Sequence, residues 1–107
     1  MSLYRFKSRE TGDLVMLQPH GRRILEVLGK DLTKGVIQPG EMSAAMDKLH
    51  EAAALEAADQ ERQKAEALAK GEPEPEFDPV SLKLRIVPFV EMLQRCQQAD
   101  VDVVWGV

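Results

Sequence analysis

The segment LYRFKSRETGDLVML, Leu3–Leu17, carries the clearest structural signal in the chain. Tyr4 and Phe6 alternate with Leu3, Arg5 and Lys7, the period of two expected of a half-buried strand. Ser8–Asp13 is rich in turn formers, and Leu14-Val15-Met16-Leu17 follows as a short buried strand. A connection of six residues suits antiparallel neighbours, so the segment predicts an N-terminal β-hairpin. Tyr4 and Phe6 beside Arg5, Lys7 and Arg9 share an outline with nucleic-acid platforms. The glycines and further aromatics of that motif are absent, and both rings are assigned to the core.

Beyond the hairpin the period changes to that of helices. Pro19 suits a first helical turn, and Ile24, Leu25, Val27 and Leu28 form an apolar stripe that Gly29 terminates. Val36-Ile37 fits either a two-residue strand or an apolar staple before the next helix. Pro39 and Glu41 mark that helix's N-terminus, and Met42, Met46, Leu49 and Ala53 fall on one face. Residues 40–55 are therefore expected to dock on the core.

From Glu56 to Lys70 nearly every residue is a strong helix former, yet Leu68 is the one large apolar side chain. That stretch reads as a projecting helix or a frayed one. A coiled coil would need a seam of large apolar residues that is missing. Gly71–Phe77 is an acidic linker interrupted by Pro73 and Pro75, expected to be mobile.

Asp78-Pro79 predicts an N-cap followed by a first-turn proline. Residues 80–87 fit two periods. Val80, Leu82, Leu84 and Ile86 alternate as in a strand, while Leu82, Ile86, Phe89, Val90, Leu93 and Cys96 make a helical face. The Asp-Pro start and the length favour a helix ending near Ala99-Asp100. Pro88 then either kinks it or opens a second helix after a short strand. Val101, Val103, Val104 and Trp105 close the chain as a third strand.

The fold class expected is α+β: a small antiparallel sheet, made of the N-terminal hairpin plus the C-terminal strand, with about three helices packed mainly on one face. Residues 1–107 are one domain's length, with 56–78 a weakly packed Ala/Glu-rich helix end and acidic linker. The 44% hydrophobic content overstates the core, because ten of the eleven alanines lie between Ala44 and Ala69. A core drawn from about 80 residues is modest, and self-association is a natural supplement.

Charge is distributed unevenly. Residues 1–40 hold seven Lys/Arg against four Asp/Glu, and residues 41–79 hold four against eleven. An acidic middle argues against a dedicated nucleic-acid binder. No apolar run approaches the ~18 residues of a membrane span, and the first residues lack the apolar core of a signal peptide. With a single cysteine, Cys96, no internal disulfide forms, so a cytoplasmic location is expected.

Catalytic constellations are not visible. His20 and His50 have no companion at metal-ligand spacing, so no metal or other cofactor is expected. Cys96 lies on an apolar face, the setting of an inert thiol. Gly35 and Gly40 lead to Glu41 rather than to the Lys-Ser/Thr of a phosphate loop.

The segments TGDLVMLQPHGRRILEVLGK (Thr11–Lys30), DPVSLKLRIVPFVEML (Asp78–Leu93) and the closing VVWGV (Val103–Val107) resemble a family of short, uncharacterised proteobacterial proteins known only as a domain of unknown function. The resemblance covers nearly the whole chain, with the Ala/Glu stretch its least distinctive part. It implies a bacterial, soluble, stand-alone domain and brings no catalytic residues.

Two functions are then expected. The first is a non-enzymatic protein-interaction module that engages an unknown partner or a second copy. Its surface pairs a basic patch of Arg5, Lys7 and Arg9, joined by Arg22 and Arg23, with the acidic residues Glu56, Glu61 and Glu66. The alternative is an anion or phosphorylated-metabolite site, enzymatic or not, at the turn from hairpin to helix. Gln18, His20, Arg22 and Arg23 cluster there, at a helix N-terminus.

Overall fold

A computed structural model describes residues 2–107. In chain order the elements are β1 (Leu3–Lys7), β2 (Leu14–Leu17), α1 (Gln18–Leu28), β3 (Gly35–Ile37), α2 (Pro39–Lys70), α3 (Leu82–Arg85), α4 (Val87–Ala99) and β4 (Val103–Trp105). The strands form one antiparallel sheet in the order β2-β1-β4-β3. The α+β class and the hairpin-plus-C-terminal-strand core stand as expected, and β3 adds a fourth strand. Val36-Ile37 is thus a strand rather than a staple. It supplies the partner that the second edge of β4 requires, with Val36 opposite Val104 and Ile37 opposite Val103.

One sheet face is covered. Phe6, Ile37, Val103 and Trp105 point inward and are buried with Ile24 and Leu25 of α1, Leu49 of α2, and Phe89, Leu93 and Cys96 of α4. The aromatic centre is built from Phe6, with Phe89 edge-on at 4.9 Å and Trp105 tilted at 6.0 Å. Tyr4 stacks beside Phe6, and its hydroxyl donates to the Leu32 carbonyl at 2.7 Å. Gly21 lets α1 lie directly against that ring: a Cβ there would stand 2.5 Å from it.

β2 passes into α1 without a loop, and Pro19 sits in the first turn. Gly29 ends α1 in the left-handed conformation, φ 68°. α2 is a single helix of 32 residues. Its first half buries Met42, Ala45, Leu49 and Ala53, and its second half projects, giving principal extents of 53 × 30 × 20 Å. The radius of gyration, 16.0 Å, exceeds the ~13 Å of a compact chain this long, and the projecting helix accounts for the excess. After Gly71 the chain turns back, with Pro75 and Phe77 half-buried and Lys64 Nζ 6.0 Å from the Phe77 ring centre.

The ambiguous stretch resolves into two helices. Asp78 does not cap a helix as its sequence suggests. Its carboxylate accepts the Val80 N–H at 2.9 Å and grips Arg85 Nη2 at 3.0 and 3.1 Å, closing a turn. Ser81 is the cap of α3, accepting the Leu84 N–H. Pro88 opens α4, where a missing N–H has no helical partner to lose. No strand intervenes, because Leu82 and Ile86 bury together on one helical face.

Three carboxylates tie down chain ends of helices and turns. Glu41 accepts the Gln38 N–H at 2.8 Å, closing a capping box, and meets Lys30 Nζ at 2.7 Å. Both hold its pKa below the usual value, the Gln38 bond more strongly. The Thr33 and Lys34 N–H groups do the same for Asp31, and the Val80 N–H followed by Arg85 does so for Asp78. A carboxyl with a depressed folded pKa contributes stability above its unfolded pKa, about 4, and loses it as the pH falls through the folded value. The denaturant midpoint is therefore expected to hold near neutrality and fall below about pH 4, with part of that fall absent in Glu41→Gln. Chemical denaturation across a pH series checks this.

Candidate functional site: the outer face of the sheet

Alternation along each strand sends every second side chain to the uncovered face. Leu3, Arg5 and Lys7 of β1, Val15 and Leu17 of β2, Val36 of β3 and Val104 of β4 share it. The register sets them in rows: Leu3 beside Leu17, Arg5 beside Val15, and Lys7, Val104 and Val36 in line. Leu3 is 56% exposed, Val15 41%, Leu17 40% and Val36 37%. The uncovered face thus carries Leu3, Val15 and Leu17 at one side and Val36 and Val104 at the other, with Arg5 and Lys7 of β1 between them.

The two cations are held in place. Arg5 Nη1 meets Asp13 Oδ2 at 3.3 Å across the hairpin, and Lys7 Nζ donates to the Val107 carbonyl at 3.4 Å. At the end of the face Lys7, Ser8 and Arg9 lie across a cavity of about 550 Å³ from Asp100 and Asp102. Its rim carries both signs of charge, which suits polar contacts at the edge of an interface.

Arg22 and Arg23 do not join this patch. α1 packs on the inner face against Tyr4, whereas Arg5 and Lys7 point from the outer one. The acidic members of the predicted surface are engaged within the chain. Glu56 is half-buried, accepts the Leu82 N–H at 3.0 Å and meets Arg23 at 3.5 Å. Glu61 lies 3.6 Å from Lys64, and Glu66 2.7 Å from Arg62.

The residues predicted to bind an anion fall on two sides of α1. At about 100° per residue, Gln18 and Arg22 share one side and His20 and Arg23 another. The Gln18 N–H donates to the Ser2 carbonyl at 3.1 Å, continuing the strand pairing. Arg22 pairs with Glu26 at 2.7 Å, which raises its pKa. Sequence spacing shows this pair, since Arg22 and Glu26 are one turn apart.

Sequence reasoning missed an apolar groove between α2 and the α3–α4 pair. Ala53, Ala54, Ile86, Val87 and Val90 line about 370 Å³, with His50, Lys83 and Glu91 at its margin. Alanines at Ala53-Ala54 opposite a helical turn at Ile86–Val90 were its only trace. Cys96 is fully buried in the core. Among the described residues no three of His, Cys, Asp and Glu come together as metal ligands would, and no helix is long and apolar enough to cross a membrane.

The geometry defines a small α+β protein with a four-stranded antiparallel sheet covered by helices on one face and bare on the other. The chain belongs to the family described as domain of unknown function (DUF1840), whose model matches residues 2–105. No curated protein and no solved structure matches it.

Proposed function

We propose that this chain is a cytoplasmic, non-enzymatic protein-interaction module, and that its binding surface is the outer face of the sheet. The observation that carries this reading is the set of water-facing apolar side chains on that face, Leu3, Val15 and Leu17 on one side and Val36 and Val104 on the other, with Arg5 and Lys7 between them. Such a face gains about 25 cal/mol for each Å² of apolar surface it loses to a partner. The cations favour a partner with acidic groups opposite them, and attraction of that kind weakens as salt rises.

A photo-crosslinking side chain at Val36 tests the reading. In cell extract it is expected to trap a defined partner, with trapping lost in Arg5→Glu/Lys7→Glu and reduced at high salt. A second crosslinker at Ala58, on the projecting helix, serves as the control. Equal trapping from both positions, or trapping indifferent to the charge reversal, sinks the proposal.

A further inference from the structure

We infer that the free edge of β2 is a self-association surface that joins two copies of this chain into one continuous sheet about a two-fold axis. The sheet order leaves β2 paired on one side only, with β1. The Gln18 N–H bonds the Ser2 carbonyl, so Ser2 and Gln18 form a hydrogen-bonded pair. Hydrogen-bonded and non-hydrogen-bonded pairs alternate in antiparallel strands. Leu3 with Leu17 and Arg5 with Val15 are therefore the non-hydrogen-bonded pairs. The Val15 N–H and C=O and the Leu17 N–H then point outward, along the free edge, while the Leu17 carbonyl caps the first turn of α1 and accepts the Gly21 N–H.

Exposed edges are normally guarded by lysine, proline or a bulge. Leu14-Val15-Met16-Leu17 has none of these. The edge is also its own complement. A two-fold axis at Met16 sets Val15 opposite Leu17 of the second copy, and Leu17 opposite its Val15. The Leu17 N–H of each copy then donates to the Val15 carbonyl of the other, two bonds related by the axis, and the half-exposed Val15 and Leu17 side chains meet across the seam.

Charge complementarity points to the same partner. Beneath this edge, Glu91 and Arg95 of α4 line one cleft with Asp13 and Leu14. Both are exposed, one helical turn apart, and neither forms an ion pair within the described chain. The same axis lays α4 antiparallel to its counterpart, bringing Glu91 of each copy toward Arg95 of the other. An isologous contact requires this kind of self-complementarity. The inference extends the reading of the outer face without depending on it, since that face stays open in the pair and doubles in length.

Sedimentation equilibrium of the full chain over a dilution series tests it. The wild type is expected to be a dimer. Val15→Pro removes an outward N–H that has no partner within the chain and is expected to give a monomer with unchanged far-UV circular dichroism. Leu17→Lys keeps every backbone group, guards the edge with charge, and is expected to do the same. Glu91→Arg is expected to weaken the dimer at least tenfold, and Glu91→Arg/Arg95→Glu to restore it. A wild-type monomer at every concentration overturns the inference, as does a dimer indifferent to both Val15→Pro and Leu17→Lys. Either result leaves the crosslinking test at Val36 unaffected, so the two proposals fail separately.

Discussion

Trp105→Ala is expected to destabilise the protein by about 3–5 kcal/mol, the cost of deleting a large buried aromatic. Trp105 is 1% exposed and sits on the middle of the sheet, opposite Phe6 of β1 and Gly35 of β3. The absence of a side chain at Gly35 is what admits the indole, since a Cβ there would lie 2.5 Å from the ring. Its Nε1–H donates to the Asp31 carbonyl at 2.9 Å, fastening the loop before β3. The substitution leaves a cavity between two strands and frees that carbonyl. A domain with a total stability of about 5–15 kcal/mol loses a large share of it. Thermal unfolding followed by circular dichroism is expected to move down by more than about 12 °C. Trp105→Phe keeps most of the burial and loses the indole hydrogen bond, so its shift should be distinctly smaller. Equal shifts for the two variants would show that the Asp31 contact, not packing, dominates.

The same residue shows where sequence patterns reach and where they stop. Val103, Val104 and Trp105 read as a strand because a terminal apolar run has to be covered, and the hairpin reads from alternation at Tyr4 and Phe6. Both are local signals. β3 is three residues long, too short for a period, and becomes a strand only because β4 has an edge to fill. That is a contact between residues far apart in the chain. Leu82–Ile86 satisfies the strand and helix periods equally, and the local chemistry of the Ser81 cap and Pro88 decides between them. Asp78-Pro79 imitates a helix start because aspartate closes turns with the same carboxylate-to-N–H bond that caps helices.

The candidate site was legible in its residues and not in its arrangement. Arg5 and Lys7 are visibly on the polar face of a strand, and they lie on the outer face of the sheet. What one strand cannot reveal is the face's composition, because Val36 and Val104 arrive from strands far along the chain. Alternation also says nothing of strand order, which alone makes β2 an edge. Arg23 meets Glu56, 33 residues away on α2, a pairing that its own segment does not show.

Leu49→Ala is the second substitution expected to have a large effect, about 2–5 kcal/mol, and Leu68→Ala on the same helix about 0.5 kcal/mol or less. Leu49 is fully buried and Leu68 is 83% exposed. The two leucines separate the two ways in which α2 is stabilised. Its first half is held by packing, through Met42, Ala45, Leu49 and Ala53. Its second half has few buried side chains and rests on helix propensity and on pairs along its surface, such as Arg62 with Asp59 and Glu66. Such pairs contribute about 0.2–0.5 kcal/mol each, and salt screens them. Chemical denaturation followed by the single tryptophan reads the first effect, since Trp105 shares the core with Leu49. Amide hydrogen exchange reads the second: positions from Ala65 to Lys70 should exchange well before those from Ala45 to Ala53, and more so at high salt. Comparable losses for Leu49→Ala and Leu68→Ala would mean that the projecting half is covered in solution by a contact that a single chain does not make.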